Sequence, residues 1–211
     1  MATVDLRPLS VRTAPARRLP QLLGGLVLYG TSMAMQIRAV LGLDPWDVFH
    51  QGLARHLPLS FGLITAVTGV AVLLLWLPLR QRPGVGTVAN VIVIALSVDA
   101  ALALIPAPAG MPARAALLAG GIVLNGVASA AYIGARLGPG PRDGLMTGLA
   151  GRTGWSIRLV RTGIELTVLA VGWLLGGTVG LGTVAYALAI GPLTQAFLPW
   201  FTTGRAGRTG P

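Results

Sequence analysis

Apolar residues gather in six stretches, each near the roughly 17–25 residues that cross a bilayer as a helix. They cover 21–40, 59–77, 85–105, 113–135, 156–175 and 181–200. Two more polar inserts, 44–57 and 140–153, separate the first stretch from the second and the fourth from the fifth. These inserts are too short and too polar to span. The pattern predicts an all-α polytopic membrane protein with six transmembrane helices.

The pattern also repeats. Leu41-Gly42-Leu43-Asp44-Pro45-Trp46-Asp47 returns as Leu137-Gly138-Pro139-Gly140-Pro141-Arg142-Asp143, a shift of 96 positions. The same shift carries Gly24-Gly25 onto Gly120-Gly121, and Gly84-Val85-Gly86-Thr87 onto Gly180-Leu181-Gly182-Thr183, without a gap. From Leu22 to Leu102, about 29 of 81 aligned pairs are identical, the self-similarity of a true internal repeat. The expected organisation is a polar cytoplasmic tail (1–20), a first repeat (21–106), a second repeat (113–200) and a short tail (201–211). A basic start followed by an apolar stretch also fits a cleaved leader. The repeat argues against that, because the first apolar stretch has an internal copy.

Three spans per repeat is an odd number, so the second copy enters from the opposite face. This is the inverted-repeat construction of many secondary transporters. Arginine placement agrees with it. With both termini cytoplasmic, that side holds Arg7, Arg12, Arg17, Arg18, Arg80, Arg82, Arg136, Arg142, Arg152, Arg205 and Arg208, while the outer side holds Arg38, Arg55 and Arg114.

Each insert has the grammar of a helix start. Asp44 is placed to cap, Pro45 suits the first helical position, and Asp47 sits in the first turn; Gly140, Pro141 and Asp143 repeat this. Two readings are open. The inserts lie flat in the interface, with Trp46 as an anchor. Or they are re-entrant half-helices whose ends meet near the midplane. Asp47 and Asp143 are caps in the first reading and site residues in the second.

Polar groups inside the spans are the remaining candidates, because a charge costs about 2.5–3.5 kcal/mol at the bilayer centre on insertion scales. Asp99 lies well inside the third apolar stretch, and its repeat partner is Gln195. Asn90 pairs in the same way with Tyr186. Asn90, Asp99, Tyr186 and Gln195 are expected to share an interior where the repeats cross, with Asp99 as either a solute contact or a helix-to-helix bond. Arg161 and Glu165 form an i, i+4 ion pair with Arg158 on the same face. The repeated glycines at Gly24, Gly25, Gly30, Gly120, Gly121 and Gly126 predict close contact between the first and fourth spans.

Composition narrows the function. Charged residues are 10% of the chain against about 25% in soluble domains, so lipid is the expected solvent. The net charge of +10 is carried by arginine alone. In this setting it reads as topology signals and headgroup contacts rather than nucleic-acid binding. There is no cysteine. His50 and His56 have no copies in the second repeat, and no metal site or cofactor is expected. Gly-x-Gly-Thr follows loops rather than strands, so it is not a dinucleotide fingerprint. No hydrolase, zinc-protease or phosphate-loop motif occurs, and an enzyme is not expected.

The run Gly42-Leu43-Asp44-Pro45-Trp46-Asp47-Val48-Phe49-His50-Gln51-Gly52-Leu53 resembles the bacterial YczE-like integral membrane proteins, near the YitT group. The resemblance extends over 21–200, with Arg142 departing from Trp46 in the second copy. It implies a small, multi-pass protein of the bacterial plasma membrane, and it carries no substrate or catalytic residue. The expected function is a secondary transporter or channel for a small solute or ion, with its site at the repeat interface. The rival is a non-transporting accessory protein of the membrane. A polar cavity between the repeats favours the first and a dry, packed interior the second. The sequence fixes no oligomeric state.

The topology is testable. Arg80→Cys and Gly110→Cys proteins are expected to react with an impermeant thiol reagent from opposite faces of the membrane. Labelling of both from one face would sink the six-span arrangement.

Overall fold

The computed structural model describes residues 9–202. The expected tails at 1–8 and 203–211 lie outside the described residues. Eight helices and no strand occur among the described residues: α1 (Pro15–Ala39), α2 (Pro45–Ala54), α3 (Phe61–Leu79), α4 (Val85–Leu104), α5 (Met111–Gly134), α6 (Pro141–Thr153), α7 (Ile157–Leu174) and α8 (Leu181–Phe201). The helix starts fall in pairs, Pro15 with Met111, Pro45 with Pro141, Phe61 with Ile157 and Val85 with Leu181, each pair 96 residues apart. The duplicated sequence therefore folds into duplicated elements.

Four helices are long and apolar enough to cross a membrane by length and composition: α3, α4, α5 and α8. The other two expected spans, α1 and α7, carry charge. Arg17, Arg18 and Arg38 lie on α1, and Arg158, Arg161 and Glu165 on α7. α1 also begins before the expected start at residue 21. Its early turn is held by Arg18, which is 1% exposed. The guanidinium donates to the carbonyls of Ala135 and Arg136 at 2.8 and 3.0 Å, and to Ser10 and Thr13 at 2.8 and 2.7 Å. The Ala135 and Arg136 carbonyls lie just past the α5 C-terminus, where a cation is favourable. Arg18 is thus a structural pin rather than a topology signal in a loose tail.

α1 and α5 cross at the centre and run antiparallel. Small residues let them close in. A Cβ on Gly25 would lie 2.9 Å from the Tyr132 nitrogen, and one on Gly121 would lie 3.2 Å from the Ser32 carbonyl. Gly30 meets α4 in the same way, 2.8 Å from the Ile94 carbonyl, and its copy Gly126 meets Leu193 of α8 at 2.7 Å. Two of the six, Gly25 and Gly121, thus make the approach expected between the first and fourth spans, and Gly30 and Gly126 pack on α4 and α8 instead. Gly24 faces open space and Gly120 touches only the end of Met35. Leu22, Leu26, Met33, Ile94, Val98 and Tyr132 fill the largest core cluster between α1, α4 and α5.

The Gly-x-Gly-Thr motifs acquire a purpose. The chain leaving α1 reverses at Gly42 (φ 113°), and the chain leaving α5 at Gly138 (φ 128°), both in the region that favours glycine. Each reversal seats on the helix start of the other repeat. Leu41 accepts a bond from Gly182 N–H at 2.8 Å, and Leu137 from Gly86 N–H at 2.9 Å. Thr87 donates to Pro139 O at 2.7 Å. The insert helices are exchanged as well: α2 packs on α7 and α6 on α3. Trp76 of α3 fills the space above Gly144 of α6, its indole donating to Pro141 O at 3.0 Å. In the other copy Gly172 replaces the tryptophan, and α7 lies directly on the α2 backbone at Phe49.

Gly144→Ala drives a methyl group into the Trp76 ring. The expected loss is about 1–3 kcal/mol, the scale of overpacking. Gly163→Ala on α7, where nothing lies within 4 Å, is expected to hold or slightly raise stability. Thermal unfolding of the two purified proteins in the same detergent measures the contrast.

Candidate functional site

Asp44 caps α2, its Oδ1 accepting the N–H groups of Trp46 and Asp47 at 2.9 and 3.1 Å. Pro45 follows at the first helical position, where its missing N–H costs nothing. In α6 the cap is Gly140, which has no side chain to offer, and Pro141 follows in turn. Because the inserts are exchanged between repeats, these two helix starts meet. The Arg142 guanidinium lies 3.9 Å from Asp44 Oδ1 and 3.8 Å from Asp47 Oδ1. It stacks over Trp46, 4.9 Å from the ring centroid. Flat interfacial inserts would hold these groups about 30 Å apart, the hydrocarbon thickness. Trp46, expected as an exposed anchor, is 6% exposed. Arg142, expected as a topology signal, is drawn into the interior by the carboxylates of the other copy.

Beside this contact lies a cavity of about 70 Å³. One water needs about 10–15 Å³, so the cavity holds a few waters or a solute of a few heavy atoms. Tyr29, Trp46, His50, Asn90, Tyr132, Arg142 and Asp143 are among its lining residues. Tyr132 O–H donates to Asp143 Oδ2 at 2.6 Å. A Cβ on Gly140 would lie 3.2 Å from Asp143 Oδ2, 3.4 Å from Asn90 Nδ2 and 3.6 Å from the Tyr132 hydroxyl. The bare cap keeps that cradle open. On the other wall His50 Nδ1 faces Asp47 Oδ1 at 3.2 Å. Four buried atoms at this junction have no hydrogen-bond partner: Asp44 Oδ2, Asp47 Oδ2, Trp46 Nε1 and His50 Nε2. A native interior leaves few such groups, and a cluster of them marks a place that needs a reason.

The six expected site residues divide. Asn90 and Asp143 line the cavity, and Asp47 stands behind it through Arg142 and His50. Tyr186 is buried nearby in a separate chain of bonds, donating to Asn125 Oδ1 at 3.0 Å, with Asn125 donating on to Ser32 at 2.8 Å. Asp99 does not reach the cavity. Its carboxylate takes the Ser60 hydroxyl at 2.5 Å and the Gly62 N–H at 2.7 Å, tying α4 to the start of α3. Gln195 is exposed on α8. The expectation that Asp99 and Gln195 share an interior with the other two therefore gives way: Asp99 is turned toward a free helix N-terminus, and Gln195 faces outward. His50 and His56 also part company, His56 meeting the Leu175 carbonyl at 3.1 Å. The Arg161–Glu165 pair forms as expected, at 2.8 Å on exposed α7.

Sequence reasoning missed Tyr29 and Tyr132. A signal was available: all three tyrosines, Tyr29, Tyr132 and Tyr186, lie within the apolar stretches. A buried phenol seeks a polar partner.

Paired apolar helices around a small, charged junction define a helical protein of the membrane-spanning type. The chain belongs to a family described as a family of unknown function (DUF6198), whose model matches residues 16–199. It is 39% identical over 189 residues to an uncharacterized protein of Haemophilus influenzae, covering 90% of this chain and 87% of that one. It is 34% identical over 178 residues to the uncharacterized membrane protein YczE of Bacillus subtilis, covering 83% and 82%. The resemblance to YczE-like membrane proteins is thereby established. No solved structure matches.

Arg142→Gln leaves two buried carboxylates without their cation. The expected loss of stability is about 3 kcal/mol, as for other broken interior ion pairs. Asp44→Asn keeps the cap and removes one charge, so the double variant is expected to recover part of the loss. A double-mutant cycle by thermal unfolding reads this coupling, and additive losses would mean that the pair does not interact.

Proposed function

We propose that this protein is a secondary transporter or channel for a small solute, and not an enzyme. In this reading it spans the bacterial plasma membrane six times with both termini cytoplasmic, α1 and α7 completing the set. The two repeats are inverted, and α2 and α6 are re-entrant half-helices entering from opposite faces. The observation that carries the proposal is the meeting of the two insert helix starts beside a polar cavity. Several supports stand behind it. The equivalent helices α1 and α5 run antiparallel, as inverted copies would. Backbone that ends at membrane depth is tolerated where protein or a wet cavity surrounds it. Broken helices whose starts converge on a midplane site are a recurrent transporter device. Both relatives are bacterial.

A second reading draws on one asymmetry. α3 packs along α4, but α7 rests on α2 and α6 and makes no comparable contact with α8. Trp155, Trp173 and Trp200 are exposed on these segments. An accessory protein that docks another membrane protein through this side would use such a face.

Osmotic swelling of proteoliposomes separates the readings. Vesicles holding the protein are expected to admit one class among methylammonium, acetate, glycine, urea and glycerol faster than protein-free vesicles. Arg142→Gln and Asp143→Asn proteins, checked for insertion, are expected to lose that excess. Equal rates with and without protein, for every solute, would reject transport and leave the accessory role.

A further inference from the structure

The chemistry of the cavity selects among solutes. We propose that it binds a small monovalent alkylammonium cation, with Asp143 as the counter-ion; this rests on reading the cavity as a solute site. Charge comes first. Three carboxylates meet at the junction, those of Asp44, Asp47 and Asp143. One guanidinium, Arg142, faces the first two. Each helix start adds a partial positive charge of about one half. The junction is left about one positive charge short. Arg142 answers the two buried carboxylates, Asp44 and Asp47, so the charge left over is that of Asp143, which is exposed at the cavity, and a monovalent cation there removes the deficit. An anion has no place to go, because Arg142 already stands between two carboxylates.

Position comes second. Asp143 has no basic side chain within 4 Å among the described residues. It is solvent-accessible, it lines the cavity, and Tyr132 O–H fixes one of its oxygens at 2.6 Å. Its neighbours in the cavity lining are the Tyr132 hydroxyl, the Tyr29 side chain and the Asn90 amide. Tyr29 and Tyr132 meet edge to face, with centroids 6.1 Å apart, and Asn90 closes the cradle over Gly140. Aromatic walls around a lone carboxylate are the setting in which ammonium groups are recognised. Trp46 adds nothing to this wall, because Arg142 already covers its ring.

The third observation is independent of Asp143. His50 Nδ1 faces the Asp47 carboxylate, which only accepts, so the ring proton sits on Nδ1. Nε2 is then a bare acceptor. It is buried, it belongs to a residue lining the cavity, and it has no donor. An N–H-bearing cation supplies one once the ring gives it room, because the atom has no surface open to the cavity as it stands. Trp46 Nε1, a donor, is the orphan that such a ligand leaves unserved. A metal cation fits less well: no three His, Asp or Glu side chains are grouped to hold one among the described residues.

The test is titration calorimetry on the full chain in lipid nanodiscs, at constant ionic strength. Methylammonium chloride is expected to give a saturable signal that sodium chloride and potassium acetate do not. Asp143→Asn is expected to weaken it about tenfold or more, with Asp143→Glu retaining most of it. Equal unfolding temperatures for Asp143→Asn and the parent protein show that the loss is local. Two results overturn the proposal. If acetate, glycine or urea binds saturably and methylammonium does not, the cavity is a solute site of another class and the transporter reading stands. If no probe binds, the site reading falls with the cation.

Discussion

The arrangement depends on two helix starts that end against each other inside the bundle. A helix start presents unpaired N–H groups and partial positive charge. Away from water, both must be answered by the protein. In α2 the answer is Asp44 as cap with Asp47 in the first turn. In α6 the cap position holds Gly140, and the carboxylate Asp143 stands one turn on. The carboxylates of α2 exceed what one helix end requires, and Arg142 of α6 balances them across the repeat boundary. The exchange of inserts, with α2 on α7 and α6 on α3, follows from this need as much as from apolar packing.

Duplication supplied two equivalent places, and divergence opened only one. The shift of 96 positions pairs Asp143 with Asp47, Gly140 with Asp44, Tyr132 with Gln36, Asn90 with Tyr186 and Tyr29 with Asn125. Around Asp143 the bare Gly140 leaves room, and the cavity forms there. Around Asp47 the equivalent room is taken. Asp44 fills the cap, Tyr186 and Asn125 bond each other, and Arg142 reaches in from the far side. Trp46 and Arg142 occupy equivalent positions and stack on one another. The departure of the second copy from the motif is thus what joins the two copies.

Much of this was legible in the chain. Helix starts at Pro45 and Pro141 could be read from local grammar, and the repeat itself from three gapless motifs. Periodicity is local information, and so are caps. The seating of Leu41 on Gly182 and of Leu137 on Gly86 was not legible. Gly-x-Gly-Thr has the same local meaning, a helix start, whether or not another chain reversal rests on it. Arg18 and Arg142 misled for the same reason. An arginine beside an apolar stretch is a topology signal when its charge meets water, and a pin or a bridge when carbonyls or carboxylates lie within reach. Only the tertiary contacts decide between these.

Asp99 is the sharpest case. Burial of an acid in an apolar span invites a functional reading, because the charge costs energy there. Here the cost is offset locally. The α3 N-terminus carries free N–H groups, and Asp99 receives one of them together with the Ser60 hydroxyl. The carboxylate answers a helix end on a neighbouring helix, as Asp44 does on its own. Its repeat partner Gln195 carries no charge to answer, and Ser156 caps α7 without it. The consequence is structural: α3 is latched to α4, while α7 makes no comparable contact with α8. One third of each repeat is therefore held differently in the two copies. The latched side is also the side whose Thr65, Thr68 and Asn90 line the cavity. A site built partly on α3 and α4 keeps its shape because Asp99 holds those two helices together, whereas α7 is held by its close packing on α2.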